Sequence, residues 1–230
     1  MDLKAFKVSK NLITYLEPTS VSAEAYNTIR TNIHFSSVDK EVKTIVVTSP
    51  SVLDGKTVTA CNLAVSFAYA GERVLLIDAD LRRPSIHKQF KMANDRGLTD
   101  VLAKDLPVEK AIKSISDIEN LSILTSGTIP PNPSVIISSK KLTECLEAFK
   151  GEYDRILIDT PPVGQVADGV ILGGLCDGVL LVIAQGHTNK SIAVKAAKTL
   201  QNVNANVLGV VVTKAALKRA GYKEYYGPEE

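Results

Sequence analysis

Three short stretches carry the residue types that phosphate and metal chemistry needs. In the first, Thr44-Ile45-Val46-Val47 reads as a buried strand, a short loop follows, and Gly55-Lys56-Thr57 opens a helical run from Val58. Strand, loop, Gly-Lys-Thr and helix is the arrangement of a phosphate-binding loop. A helix start offers unpaired backbone N–H groups and a partial positive charge to phosphate oxygens. Lys56 can reach β- and γ-phosphates, and the Thr57 hydroxyl can bind Mg²⁺. The loop is poor in glycine: Pro50 stands where such loops usually begin with Gly, and Leu53 stands two residues before the Gly-Lys pair. Pro lacks an N–H and Leu resists positive φ, so fewer donors and a stiffer loop are expected. The competing reading is a chance Gly-Lys-Thr in a surface turn.

The second stretch, Val74-Leu75-Leu76-Ile77-Asp78-Ala79-Asp80-Leu81-Arg82-Arg83-Pro84, ends an apolar strand with two carboxylates. The third, Arg155-Ile156-Leu157-Ile158-Asp159-Thr160-Pro161-Pro162, repeats the theme. Ligands of open α/β sheets bind beyond the C-terminal ends of the strands, so these carboxylates should meet the loop. Mg²⁺ takes oxygen ligands and keeps several waters, which Thr57, Asp80 and Asp159 suit. Phosphoryl transfer also needs a proton acceptor, and Asp78 is assigned that role, with Lys56 and Asp80 as its catalytic companions. The structural alternative is a strand-end turn in which Asp78 and Asp80 pair with Arg82 and Arg83.

Strands alternating with helices position these groups. Strands are expected at 44–47, 73–77, 121–124, 155–158, 178–184 and 207–212, near-continuously apolar as buried parallel strands are. Helices are expected at Ala23 to Phe35 with Ser22 as N-cap, from Val58 to a Gly71 C-cap, from a Ser134 cap to Lys150, at 166–172, and at 190–201. The fold class is therefore α/β, a P-loop NTPase fold with a mostly parallel central sheet and helices on both faces. Residues 1–20 read as an N-terminal extension, 21–213 as one domain, and 214–230 as a flexible tail containing tyrosines.

Composition bounds the function. The chain has 230 residues, 45% hydrophobic and 23% charged, with net charge +2, which argues against a general nucleic-acid binder. Three scattered cysteines, Cys61, Cys145 and Cys176, have no metal spacing and read as buried or half-buried thiols of a reducing cytosol. His34, His87 and His187 show no ligand spacing and read as structural or exposed. No signal peptide and no run of 18 apolar residues is visible, so a cytoplasmic location is expected.

The chain resembles the bacterial tyrosine kinases. It is similar in particular to the separate cytoplasmic kinase of Gram-positive capsule and exopolysaccharide systems, the CpsD/CapB type. The deviant Gly-Lys-Thr loop, Asp78-Ala79-Asp80-Leu81-Arg82 and Ile158-Asp159-Thr160-Pro161-Pro162 resemble that family's Walker A, A′ and B motifs. Glu24 to Ile33 resembles its N-terminal helix, and Ser126-Gly127 with Pro131 to Ser134 its proline-rich segment. The resemblance implies ATP or ADP with Mg²⁺ as ligands, contacted by Ser51, Val52, Leu53, Asp54, Gly55, Lys56, Thr57, Val58 and Arg82. It implies autophosphorylation in trans of a tail cluster, here Tyr222, Tyr225 and Tyr226. It implies a ring built through a Glu-x-x-Arg-x-x-Arg helix, for which Glu24 and Arg30 match and Asn27 replaces the first Arg. A weaker ring is expected. It also implies a membrane-bound polysaccharide co-polymerase whose cytoplasmic segment activates the kinase, a cognate tyrosine phosphatase, and a peripheral place at the inner membrane face through that partner.

Two other readings compete with the autokinase. A nucleotide-switched ATPase of the Min/Par class shares the fold, but usually carries a second Lys early in its loop, where Ser51-Val52-Leu53 stands. A degenerate P-loop protein with little turnover would explain Pro50 and Leu53.

Overall fold

A computed structural model of the chain describes residues 8–36 and 41–215. Tyr222, Tyr225 and Tyr226 lie outside the described residues. The described strands are β1 (Thr44–Thr48), β2 (Val74–Asp78), β3 (Ile112–Ser114), β4 (Leu121–Leu124), β5 (Arg155–Asp159), β6 (Gly178–Ala184) and β7 (Val207–Thr213). The described helices are α1 (Ile13–Leu16), α2 (Val21–Ser36), α3 (Lys56–Tyr69), α4 (Ile86–Gln89), α5 (Leu98–Lys104), α6 (Pro133–Ile137), α7 (Lys140–Glu152), α8 (Asp168–Leu175) and α9 (Lys190–Gln201). The strands form one sheet in the order β3-β4-β2-β5-β1-β6-β7, parallel except for β3, which runs against β4. The short edge strand β3 was not foreseen; three residues with little burial give almost no periodic signal.

The apolar runs make two cores because neighbouring side chains on a strand point to opposite faces. Ile45, Val47, Leu76, Leu157 and Val182 pack with α3, Ile33 of α2 and Ile86 of α4. Val46, Leu75, Ile77, Ile158 and Leu181 pack with Leu98 of α5, Ile137 of α6, Leu142 and Phe149 of α7, Leu172 of α8 and Leu200 of α9. Every residue of β1, β2 and β5 is buried, as strands covered on both faces must be.

The register fixes the site. β5 lies between β1 and β2, with Val47 opposite Asp159 and Asp159 opposite Asp78. The ends of the three motif-bearing strands therefore stop level with one another. α3 is the most deeply set helix; ten consecutive residues from Thr59 to Ala68 are buried. Gly71, at φ 90°, ends it, and the Glu72 N–H returns to the Phe67 carbonyl, as the sequence implied.

Two capping assignments change. α2 starts earlier than expected: Ser20, not Ser22, caps it, its hydroxyl accepting the Ala23 N–H at 3.2 Å. The helix expected from Ser134 to Lys150 is two helices. Ser134 lies inside α6, and Ser139 caps α7 by accepting the Leu142 N–H. The adjacent serines Ser138 and Ser139 break the run; each competes for backbone hydrogen bonds at this point.

Phe67 fills the core under α3 and carries the Arg155 guanidinium 4.8 Å above its ring. Phe67→Ala is expected to cost about 3–5 kcal/mol in urea unfolding. A loss under about 1 kcal/mol would show that α3 is not anchored through this ring.

Candidate nucleotide and metal site

Gly55, at φ 95°, turns the chain from the loop into α3, and no side chain caps that helix. Its first-turn N–H groups therefore face the strand ends without a side-chain acceptor. Leu53 sits at φ 62° and is 76% exposed. A non-glycine residue in the left-handed region stores roughly 1–2 kcal/mol. The sequence warned that Leu resists this conformation; the fold imposes it nonetheless. The loop is also crowded from behind. A Cβ added to Gly164 would lie 2.4 Å from the Pro50 carbonyl oxygen, so only glycine admits this approach.

Lys56, Thr57, Asp78, Asp80 and Asp159 come together. The Lys56 ammonium lies 2.9 Å from Asp80 Oδ2 and 3.4 Å from Asp159 Oδ1. Thr57 Oγ1 donates to Asp159 Oδ2 at 2.6 Å. Asp78 is fully buried and accepts three backbone N–H groups, from Asp80, Ser85 and Ile86. Asp80 Oδ1 accepts the Arg83 N–H.

The electrostatics follow from three carboxylates around one ammonium. Burial and the neighbouring Asp159 charge push the Asp78 carboxyl up to about 7, against the backbone hydrogen bonds and Lys56. Burial likewise raises Asp159 in spite of Lys56 and Thr57. Burial alone would lower Lys56, but Asp159 and Asp80 outweigh it and its pKa rises. The site thus holds an excess of buried negative charge made of hard oxygen donors. Thr57, Asp80 and Asp159 fit a Mg²⁺ ion, which is usually held by one or two carboxylates plus phosphates. Among the described residues no cluster of three His, Cys, Asp or Glu forms a self-sufficient metal cage.

Other expected residues are placed differently. The alternative in which Arg82 and Arg83 neutralise Asp78 and Asp80 is not what the side chains do. The Arg82 guanidinium instead bonds the buried Asp168 at 3.0 Å and Ser134 at 2.9 Å, and Ser134 donates to Asp168 as well. Ser51, Val52 and Val58 are half-buried around the loop and helix start, and Asp54 is buried behind it. On α2, Glu24 accepts from the Asn27 amide, while Arg30 turns inward to the Ser66 carbonyl and hydroxyl of α3.

Sequence reasoning missed Ser85, whose hydroxyl donates to Thr57 Oγ1 at 3.1 Å while Asp78 accepts its N–H. It also missed His187 and Thr188, both bonded to Asp54. Their position just past the C-terminal end of β6, on the same sheet edge, was the available signal.

The fold and this strand-end cluster define a P-loop domain of the ATPase type, and a family model described as an AAA domain matches residues 42–206. The tyrosine-protein kinase YwqD of Bacillus subtilis (strain 168) is 43% identical over 224 residues, covering 97% of this chain and 94% of that protein. The chain belongs to the bacterial tyrosine-protein kinase family. The structure of the chimerical protein CapA2B2 superposes with TM-score 0.85 and 36% identity over 89% of each chain. The septum site-determining protein MinD of Pyrococcus horikoshii OT3, complexed with Mg-ADP, superposes with TM-score 0.64 and 27% identity over 74% of this chain and 69% of that one.

The pKa direction of Asp78 sets a pH dependence. Its folded value, about 7, lies above the unfolded 3.8, so the folded chain binds the extra proton between those values. Ligand-free stability should therefore fall as pH rises through that window, by at most about 1.4 kcal/mol per unit. Melting curves from pH 5 to 8 should show this slope, and Asp78→Asn should flatten it. An unchanged slope in that variant would assign the titration elsewhere.

Proposed function

We propose that this kinase transfers the γ-phosphoryl group of ATP to tyrosine hydroxyls, beginning with Tyr222, Tyr225 and Tyr226 of a neighbouring copy. The observation that carries the reading is the meeting of Lys56, Thr57, Asp78, Asp80 and Asp159 at one sheet edge beside the uncapped start of α3. Positioning and charge neutralisation dominate phosphoryl transfer, and this set supplies both. The loop from Ser51 to Val58 receives the phosphates, and Lys56 exchanges Asp80 for phosphate oxygens. Thr57, Asp80 and Asp159 would hold Mg²⁺, which would neutralise phosphate charge when bound. Asp78, with its carboxyl near 7, takes the phenolic proton as the tyrosine oxygen bonds phosphorus and the bridging oxygen leaves with ADP. Arg82 contacts the nucleotide by exchanging its Asp168 partner for the ligand.

The wider role is regulation of capsular or exopolysaccharide synthesis beside a membrane-bound co-polymerase, with a tyrosine phosphatase reversing the modification. The family resemblance to capsule-system kinases and the likeness to the chimerical protein CapA2B2 support this reading. The chain then works at the inner membrane face through that partner. Self-association through Glu24 and Arg30 competes with the bond that Arg30 already makes to Ser66, which favours a weak ring. The likeness to MinD with Mg-ADP keeps one alternative, an ATPase switch.

Incubation with Mg-ATP and a candidate activator fragment, followed by mass spectrometry, tests this. Phosphate on the tail tyrosines is expected, and Asp78→Ala should lower it at least about hundredfold, the low end for loss of a general base. Free phosphate without phosphotyrosine would favour the switch, and neither product would mean a P-loop without turnover. Full phosphorylation by Asp78→Ala would remove Asp78 from the proton-transfer role.

A further inference from the structure

Behind the phosphate loop lies a second set of contacts. Asp54 is fully buried, immediately before Gly55, and its side chain meets the turn that follows β6. Its Oδ2 accepts the Ser51 N–H at 2.9 Å, which closes the loop on itself. Its Oδ1 accepts from His187 Nδ1 at 3.0 Å and from Thr188 Oγ1 at 2.8 Å. A carboxylate only accepts, so Nδ1 of His187 carries the hydrogen. Thr188 is used at both ends: its oxygen accepts the Ala184 N–H at 2.7 Å while its hydrogen goes to Asp54. The Asp54 carbonyl in turn accepts the Thr213 hydroxyl at 2.6 Å from the end of β7. A Cβ at Gly55 would lie 3.2 Å from the same threonine.

Two facts make this more than a buried carboxylate satisfied by neighbours. The loop lacks the usual leading glycine and holds Leu53 at φ 62°, so its backbone needs an external restraint. The restraint reaches it from 133 and 134 residues away in the chain, from a turn anchored on β6. We propose that His187 and Thr188 are positioning residues which, through Asp54, hold the phosphate loop in its binding shape. This strap substitutes for the missing glycine geometry. It rests on the nucleotide reading above and adds to it a set of residues outside the three motifs.

The test uses the full chain and Mg-ADP. Calorimetry should give wild type, His187→Ala, Thr188→Val and two conservative variants, His187→Asn and Thr188→Ser. Asn places an amide N–H close to the position of Nδ1, and Ser keeps the hydroxyl. His187→Ala and Thr188→Val should each weaken Mg-ADP about tenfold, and the conservative pair should stay within about threefold of wild type. His187 is half-exposed, 42% by side chain, so its replacement leaves the core intact. Ligand-free melting temperatures of the His187 variants should lie close to wild type, which separates a loop defect from a folding defect. Wild-type affinity in both His187→Ala and Thr188→Val overturns the strap and leaves the nucleotide site standing. Equal losses in His187→Ala and His187→Asn also overturn it. A wild-type chain that binds no Mg-ADP overturns both readings together.

Discussion

Everything at the strand edge depends on one ammonium held among carboxylates. Among the described residues Lys56 is the one cation paired with Asp80 and Asp159, and Asp78 adds a third carboxyl nearby. In low dielectric such groups are tolerated only when paired or hydrogen-bonded. The protein meets that requirement twice over. Backbone N–H groups surround Asp78, and Lys56 with Thr57 covers Asp159. The arrangement is self-consistent without ligand, yet each bond is one that a phosphate or a hard cation can replace. Lys56 can trade a carboxylate for a phosphate oxygen, and Asp80 can trade an ammonium for a metal ion. A phosphate that drew off Lys56 would leave carboxylates in need of positive charge.

The sheet makes this possible by ending three strands level. Asp78 opposes Asp159 in the register, and Val47, also opposite Asp159, is followed directly by the loop. A shift of one residue in β5 would turn Asp159 to the other face and bring an apolar neighbour to the edge. The two cores prevent that shift, because alternate residues of β5 are committed to opposite helical layers: Leu157 to one, Ile156 and Ile158 to the other. Site precision here is a by-product of burial on both faces.

Much of this was legible in the residues. The apolar runs and their terminal carboxylates placed six of the seven described strands and the meeting of Lys56, Thr57, Asp78, Asp80 and Asp159. What failed was local competition and long-range side-chain choice. Ser20 and Ser22 are both good caps by residue type, and Ser20 is the one whose hydroxyl takes the Ala23 N–H. Nothing in Pro131-Asn132-Pro133-Ser134 announces that Ser134 will bond Asp168 and Arg82 instead of starting a long helix. Arg82 stands beside two aspartates in sequence and pairs with a third, 86 residues on, because Asp168 is fully buried and Ser134 gives it a hydrogen bond but no charge. His187 offered no ligand spacing, so its role was invisible until β6 and β1 were seen side by side.

The glycine-poor loop shows how the same problem can be solved from outside the motif. Glycines let a phosphate loop curl without steric cost, and their freedom must then be paid in entropy on ordering. A loop carrying Pro50 and Leu53 has less freedom to lose, but it meets strain at Leu53. Contacts from β6, β7 and the Gly164 segment hold it against that strain. The consequence is a loop whose shape is set by tertiary structure more than by its own residues. The turn after β6 and the groups that would meet phosphate are thus joined through one buried carboxylate, Asp54.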